Sequence, residues 1–296
     1  MKIKQIISKI KRNLYLKYIT GNIGKTIEQD NKIICYVNKK KLIKKNKKEA
    51  LLYHYPLRNI NNEKICYILE NIKLDNIPLS IIISQDNELI IKNCELNVEF
   101  INIDEGKCTI DNSKINGFYK TTIIYSKDLI IKNMNNNSFK LLGGDKLKLN
   151  AYNNLTIINS NLSQNNEPYL NIQITSNNKL NIINSKIKGK IITINTPILN
   201  MDNKSVLKST NITKIYSEDF NSINITSPTI LLNGELVKKN QETIILKKVK
   251  STLEEKRLEL INYLKLIKNE INSNNKIKLN NYKTELENKP LIKSIK

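Results

Sequence analysis

Leu155-Thr156-Ile157-Ile158-Asn159-Ser160 and Leu180-Asn181-Ile182-Ile183-Asn184-Ser185 are two copies of one phrase. Each is an apolar, β-rich run closed by Asn and a small residue. The phrase recurs upstream as Leu129-Ile130-Ile131-Lys132-Asn133-Met134, Cys108-Thr109-Ile110-Asp111-Asn112-Ser113 and Leu89-Ile90-Ile91-Lys92-Asn93-Cys94. From the N-terminal copy onward the Asn residues are spaced about 19, 21, 26 and 25 residues apart, the period of a stacked repeat. Weaker copies lie at 67–74, 147–151, 170–174, 191–194, 223–225 and 230–232.

Short β-like runs separated by Asn, Asp, Ser and Lys fill the chain from about residue 64 to 237. The tight-hairpin dipeptide Asn-Gly occurs only at Asn116-Gly117 and Asn233-Gly234. A sandwich of hairpins needs more of these turns. Coils of two or three short strands need none, so the pattern predicts a parallel β-solenoid. Inward Leu and Ile then stack from coil to coil. Asn93, Asn112, Asn133, Asn159 and Asn184 fall at one turn, where their amides are expected to form a structural ladder. With few Gly, such turns rest on Asn and Asp, which tolerate left-handed backbone best after Gly.

On this periodicity and the ladder position, residues 64–237 resemble right-handed parallel β-helix proteins of pectate-lyase-like architecture. Tyr53-His54-Tyr55-Pro56-Leu57 followed by the repeats also looks like β-helix proteins of A+T-rich bacteria that carry no assigned activity. The resemblance implies one all-β solenoid. Enzymes of this architecture need further groups. Pectate-lyase-like chemistry takes an acidic Ca²⁺ cluster and a basic residue, often Arg; polygalacturonase-like chemistry takes paired Asp and a His. The repeat region has no Arg and no Asp-Asp pair, and the one His, His54, precedes it. Trp, a common sugar platform, is absent. A carbohydrate-active enzyme is therefore the third reading, and no catalytic residue, metal or cofactor is assigned. His54 reads as a structural residue at the entrance to the first coil. Gly21 to Thr26 lacks the spacing of a phosphate loop, and Gly143-Gly144-Asp145 reads as a turn.

The net charge is +22, carried by 49 basic residues of which only Arg12, Arg58 and Arg257 are Arg. Lys, Asn and Ile dominate, as an A+T-rich coding bias would favour. The charge is uneven. Residues 1–48 hold 15 Lys/Arg against 2 Asp/Glu, residues 49–237 hold 19 against 18, and residues 238–296 hold 15 against 7. The repeats are near neutral and both ends are basic. Three regions follow: a basic N-terminal segment over 1–48, the solenoid over 49–245 and a helical tail over 246–296.

Residues 1–19 read as an amphipathic helix. Ile3, Ile6, Ile7, Ile10, Leu14 and Tyr18 form its stripe, and Lys2, Lys4, Lys9, Lys11, Arg12 and Lys17 fill the remainder. Thr20-Gly21 ends it. A second basic run holds Lys39, Lys40, Lys41, Lys44 and Lys45. Three readings suit the helix. It caps the apolar end of the solenoid, it lies on an anionic membrane, or with the second run it binds nucleic-acid phosphates. Scarcity of Arg weakens the last. Ser251-Thr252-Leu253-Glu254 is a capping box opening a C-terminal helix to about residue 272, read as a second cap or a self-association surface. Exposed solenoid ends are another route to self-association.

Cys35, Cys66, Cys94 and Cys108 lack CxxC spacing and read as buried free thiols. No secretory apolar segment or membrane-length run is seen, so the expected location is cytoplasmic. The expected role is a non-enzymatic scaffold or binding module, with a peripheral membrane or nucleic-acid-associated protein next.

Overall fold

The structure is a computed structural model, and it describes residues 2–30, 32–43, 49–53, 63–84, 86–117, 121–135, 138–141, 146–163, 171–239, 243–248 and 292–295. Two compact units divide the chain, Met1–Thr243 and Ile244–Lys296.

The first unit is an all-β solenoid of about seven turns, built mostly from parallel strands. Its repeats stack in register, residue on residue. Leu69, Ile91, Ile110, Ile131, Ile157, Ile182 and Met201 form one column. Tyr67, Leu89, Cys108, Leu129, Leu155, Leu180, Leu199 and Phe220 form the neighbouring one. Both columns are buried. In a strand, alternate side chains point to opposite faces, so these i, i+2 positions fill the core while Thr156, Asn181 and Asn200 face outward. Cys108 sits where Leu sits in other coils and is fully buried, which accounts for an apolar thiol there.

Both ends of the stack are closed by antiparallel strands. At the start, β1 (Gly24–Gln29) pairs antiparallel with β2 (Lys32–Val37), and β2 then runs parallel to Ile65–Glu70. At the other end, Thr229–Leu232 turns back through Asn233-Gly234 onto Glu235–Lys239. Asn233 has φ 50° and Gly234 φ 88°, the left-handed pair that a tight hairpin needs. Asn116-Gly117, by contrast, lies within a parallel strand.

Helix α1 (Lys2–Ile19) precedes β1, and a single turn, α2 (Lys39–Leu42), follows β2. Asn38 caps α2, its Oδ1 accepting the Lys40 N–H at 2.9 Å. In the second unit, Ile292–Ile295 pairs antiparallel with 245–248. The expected C-terminal helix, His54, Gly143-Gly144-Asp145, Lys44 and Lys45 lie outside the described residues.

Candidate functional site

The five Asn positions fall on one turn and share one backbone state. Asn71, Asn93, Asn112, Asn133, Asn159 and Asn184 all have φ between 43° and 56°. An L-residue other than Gly, Asn or Asp is disfavoured there. Side-chain bonds join them in segments. Asn112 Nδ2 donates to Asn93 Oδ1 at 2.8 Å and Asn184 Nδ2 to Asn159 Oδ1 at 2.9 Å. Asn133 Nδ2 donates to Asp111 Oδ1 instead, at 2.7 Å.

The residue after each Asn forms a second, buried column. Cys94 N–H donates to Ser113 Oγ, Met134 N–H to Ser160 Oγ, Ser160 N–H to Ser185 Oγ and Ser185 N–H to Ser205 Oγ, all at 3.0–3.2 Å. Ser113, Ser160 and Ser185 hydroxyls donate in turn to the carbonyl two residues before them. Cys94 plays the same part with sulfur: its Sγ accepts the Ile72 N–H at 3.4 Å and donates to the Lys92 carbonyl at 3.2 Å. The recurring Ser at this position was the available signal. All four cysteines are buried and free. Burial pushes the thiols up, to about 11 at Cys35 and about 12 at Cys66 and Cys108, away from thiolate chemistry. Among the described residues no group of three or more His, Cys, Asp or Glu is placed to hold a metal ion.

The first basic segment behaves differently from the capping expectation. α1 packs through Arg12, Tyr15, Leu16 and Ile19, of which Leu16 and Ile19 are buried. The aliphatic stripe stays largely exposed: Ile6 is 56% exposed, Ile7 47%, Ile10 51% and Leu14 60%. At about 100° per residue the packed face and the stripe are centred on opposite sides of the helix. The apolar face therefore does not cover the first coil. Leu16 and Ile19 do the anchoring, together with a charged clamp.

Arg12 is that clamp. Its Nε donates to Glu28 Oε1 at 2.7 Å, its Nη2 to Glu63 Oε1 at 2.6 Å, and Nη2 also reaches Glu28. Its guanidinium carbon lies 5.2 Å from the Tyr15 ring centroid. Its hydrogen bonds to Glu63 and Glu28 raise the guanidinium further above its ordinary value. Arg12 is thus engaged within the molecule by Glu28 and Glu63. Lys9, Lys11 and Lys17 remain exposed, and α1 contains no acidic residue. The side chains of Lys2 and Lys4 lie outside the described set. Lys39 and Lys40 are exposed on α2, and Lys41 Nζ donates to Asn22 Oδ1 at 2.9 Å.

No helix among the described residues is long and apolar enough to cross a membrane. The chain matches no family model, no curated protein and no solved structure.

Proposed function

We propose that this chain is a non-enzymatic scaffold, a rigid β-solenoid held at an anionic membrane surface by α1. One observation carries the reading: the helix turns its aliphatic stripe away from the solenoid and surrounds it with lysines. An exposed aliphatic stripe over Ile6, Ile7, Ile10 and Leu14 marks an interaction surface. Basic flanks without a single carboxylate specify an anionic partner. A helix lying in the interface buries its apolar face at the acyl boundary and sets its lysines among head groups. Each fully buried aliphatic side chain contributes about 1.5–3 kcal/mol, and each Lys near an anionic leaflet about 1 kcal/mol. Several of each suffice for reversible attachment. We infer a right-handed winding, since β–crossover–β connections in one sheet are right-handed in about 98% of cases. A cytoplasmic location is part of the same proposal, because anionic lipids face that side.

The test is flotation of the full chain with vesicles of phosphatidylcholine, with and without phosphatidylglycerol. Binding to the anionic vesicles is expected, falling about tenfold or more in Ile6→Ser/Ile10→Ser, whose side chains are exposed on α1. Unchanged binding in that variant overturns the reading. So does a concentration-dependent dimer that the same variant abolishes, or binding to nucleic acid with a steep salt dependence in place of vesicles.

A further inference from the structure

The solenoid carries a second charged feature. On the early coils, outward lysines alternate with carboxylates from strand to strand. Lys73 and Lys114 flank Glu95 at 3.4 and 2.7 Å, Lys92 meets Glu70 at 3.4 Å, and Lys132 meets Asp111 at 3.2 Å. Coil-to-coil alternation is the arrangement that cross-strand electrostatics favours.

Later coils break the rule. Lys186 and Lys188 occupy the outer face of one strand, and Lys188 is the direct register partner of Lys208 on the next. Like charges placed opposite one another repel. Neither those three nor Lys204 makes an ion pair among the described residues. Lys204 lends the Asp202 carboxyl only the weakest of its favourable influences. That carboxylate is held by the Asn184 N–H and the Ser205 hydroxyl.

Beside the lysines runs a concavity of about 630 Å³ lined by Asn159, Asn161, Asn184, Lys186 and Lys204. Its amides are the outward edge of the Asn turn. Asn161 Oδ1 is buried and has no hydrogen-bond partner. Half a turn of that amide exchanges the acceptor for a donor, so it can answer a hydroxyl or an anionic oxygen. The lining contains no aromatic platform for a base or sugar ring. Lysine ammonium groups act as compact point charges that suit phosphate. Lys186 and Lys204 line the concavity, and Lys188 and Lys208 face outward in register on the adjoining strands, so the four suit a ligand with more than one phosphate.

We propose that the coils between Asn159 and Lys208 form a binding site for a phosphorylated polyol, with the lysines on its phosphates and the Asn amides on its hydroxyls. This site is independent of α1. The polyol phosphate is either soluble or the head group of a lipid, and the experiment separates the two.

The full chain is titrated calorimetrically with inositol hexakisphosphate at low salt, beside orthophosphate as a control. Saturable binding is expected, about tenfold or more weaker in Lys186→Gln/Lys188→Gln/Lys204→Gln/Lys208→Gln, whose replaced side chains sit on the surface. Asn161→Leu is expected to weaken inositol hexakisphosphate more than tripolyphosphate, which has no polyol frame. Absence of saturable binding overturns the proposal, as does an affinity indifferent to the four lysines, or a single-stranded oligonucleotide that displaces the polyol phosphate at equal concentration. Ile6→Ser/Ile10→Ser, assayed on the same soluble ligand, is expected to bind as the parent does. If vesicle binding fails while this titration succeeds, the membrane reading falls and the soluble form of the ligand stands. If the fourfold lysine variant loses vesicles carrying a polyphosphorylated inositol lipid while keeping phosphatidylglycerol vesicles, the lipid head group is the source.

Discussion

Ser160 donates its backbone N–H to Ser185 Oγ at 3.0 Å, across the boundary between two coils. The same hydroxyl donates to the Ile183 carbonyl at 2.7 Å, and the Ser185 N–H passes to Ser205 Oγ. At the turn the chain leaves the sheet ladder, and the hydroxyl supplies the acceptor that a neighbouring strand supplies elsewhere. Ser185→Ala orphans the buried Ser160 N–H. An unsatisfied buried donor costs about 1–3 kcal/mol. Chemical denaturation should show a lowered midpoint with unchanged slope. Loss of less than a few tenths of a kcal/mol would mean that a water replaces the hydroxyl. Cys94→Ser should be close to neutral, because sulfur already plays the hydroxyl's part there.

Asn159 holds φ at 47° and accepts from Asn184 Nδ2. Two costs can be separated by two replacements. Asn159→Ala meets the left-handed strain, about 1–2 kcal/mol, and also removes the amide bond. Asn159→Gly removes the amide and relieves the strain. The Ala variant should therefore be the less stable in thermal melts. The reverse order would show that the amide bond, rather than backbone conformation, sets the preference for Asn.

Much of this turn was legible beforehand, because the repeats pair one to one. Leu155 on Leu180 and Ile157 on Ile182 are the alignment of the sequence copies themselves. The Ser column is visible in the repeats but its bonding is not, since a small residue at a bend has two uses and periodicity does not distinguish them. The orientation of α1 stays open in the sequence for another reason. Arg12, Tyr15, Leu16 and Ile19 also follow i, i+3, i+4, i+7 spacing, so the helix has two stripes. Hydrophobicity favoured the stripe richer in Ile. The packed stripe is chosen by Glu28 and Glu63, whose approach to Arg12 depends on the tertiary fold. The pairing of Lys73 and Lys114 with Glu95 likewise becomes visible only once coil register is known.

Asp202 ends the Asn turn, its carboxylate taking the Asn184 N–H at 2.9 Å and the Ser205 hydroxyl. Burial pushes its carboxyl up, but the hydrogen bonds from Ser205 and Asn184 outweigh burial, and the net shift is downward. A depressed folded-state value means stability that is present above the ordinary carboxylate range and is lost as pH falls through the folded value. Thermal midpoints of the parent should exceed those of Asp202→Asn near neutrality and converge with them in acid. A constant gap between the two curves across pH would show that the ionised form is not what the turn uses.

Arg12 and Glu28 decide how α1 is presented. The guanidinium meets two carboxylates at once, Glu28 from β1 and Glu63, in partly exposed surroundings. Exposed pairs contribute about 0–1 kcal/mol each, while a fork shared by two acids sits above that range. Among the described side chains only Leu16 and Ile19 otherwise anchor the helix by burial, so its opening is a local event well below global unfolding. Arg12→Lys keeps the charge and loses the fork. Amide exchange over 5–19 should accelerate about tenfold, the equivalent of some 1.4 kcal/mol, while exchange at Ile157 and Ile182 stays as slow as before. The same variant should weaken binding to phosphatidylglycerol vesicles modestly with its Ile stripe intact, because a loosened helix must be ordered again at the surface. Faster exchange throughout the solenoid would instead make Arg12 part of its global stability.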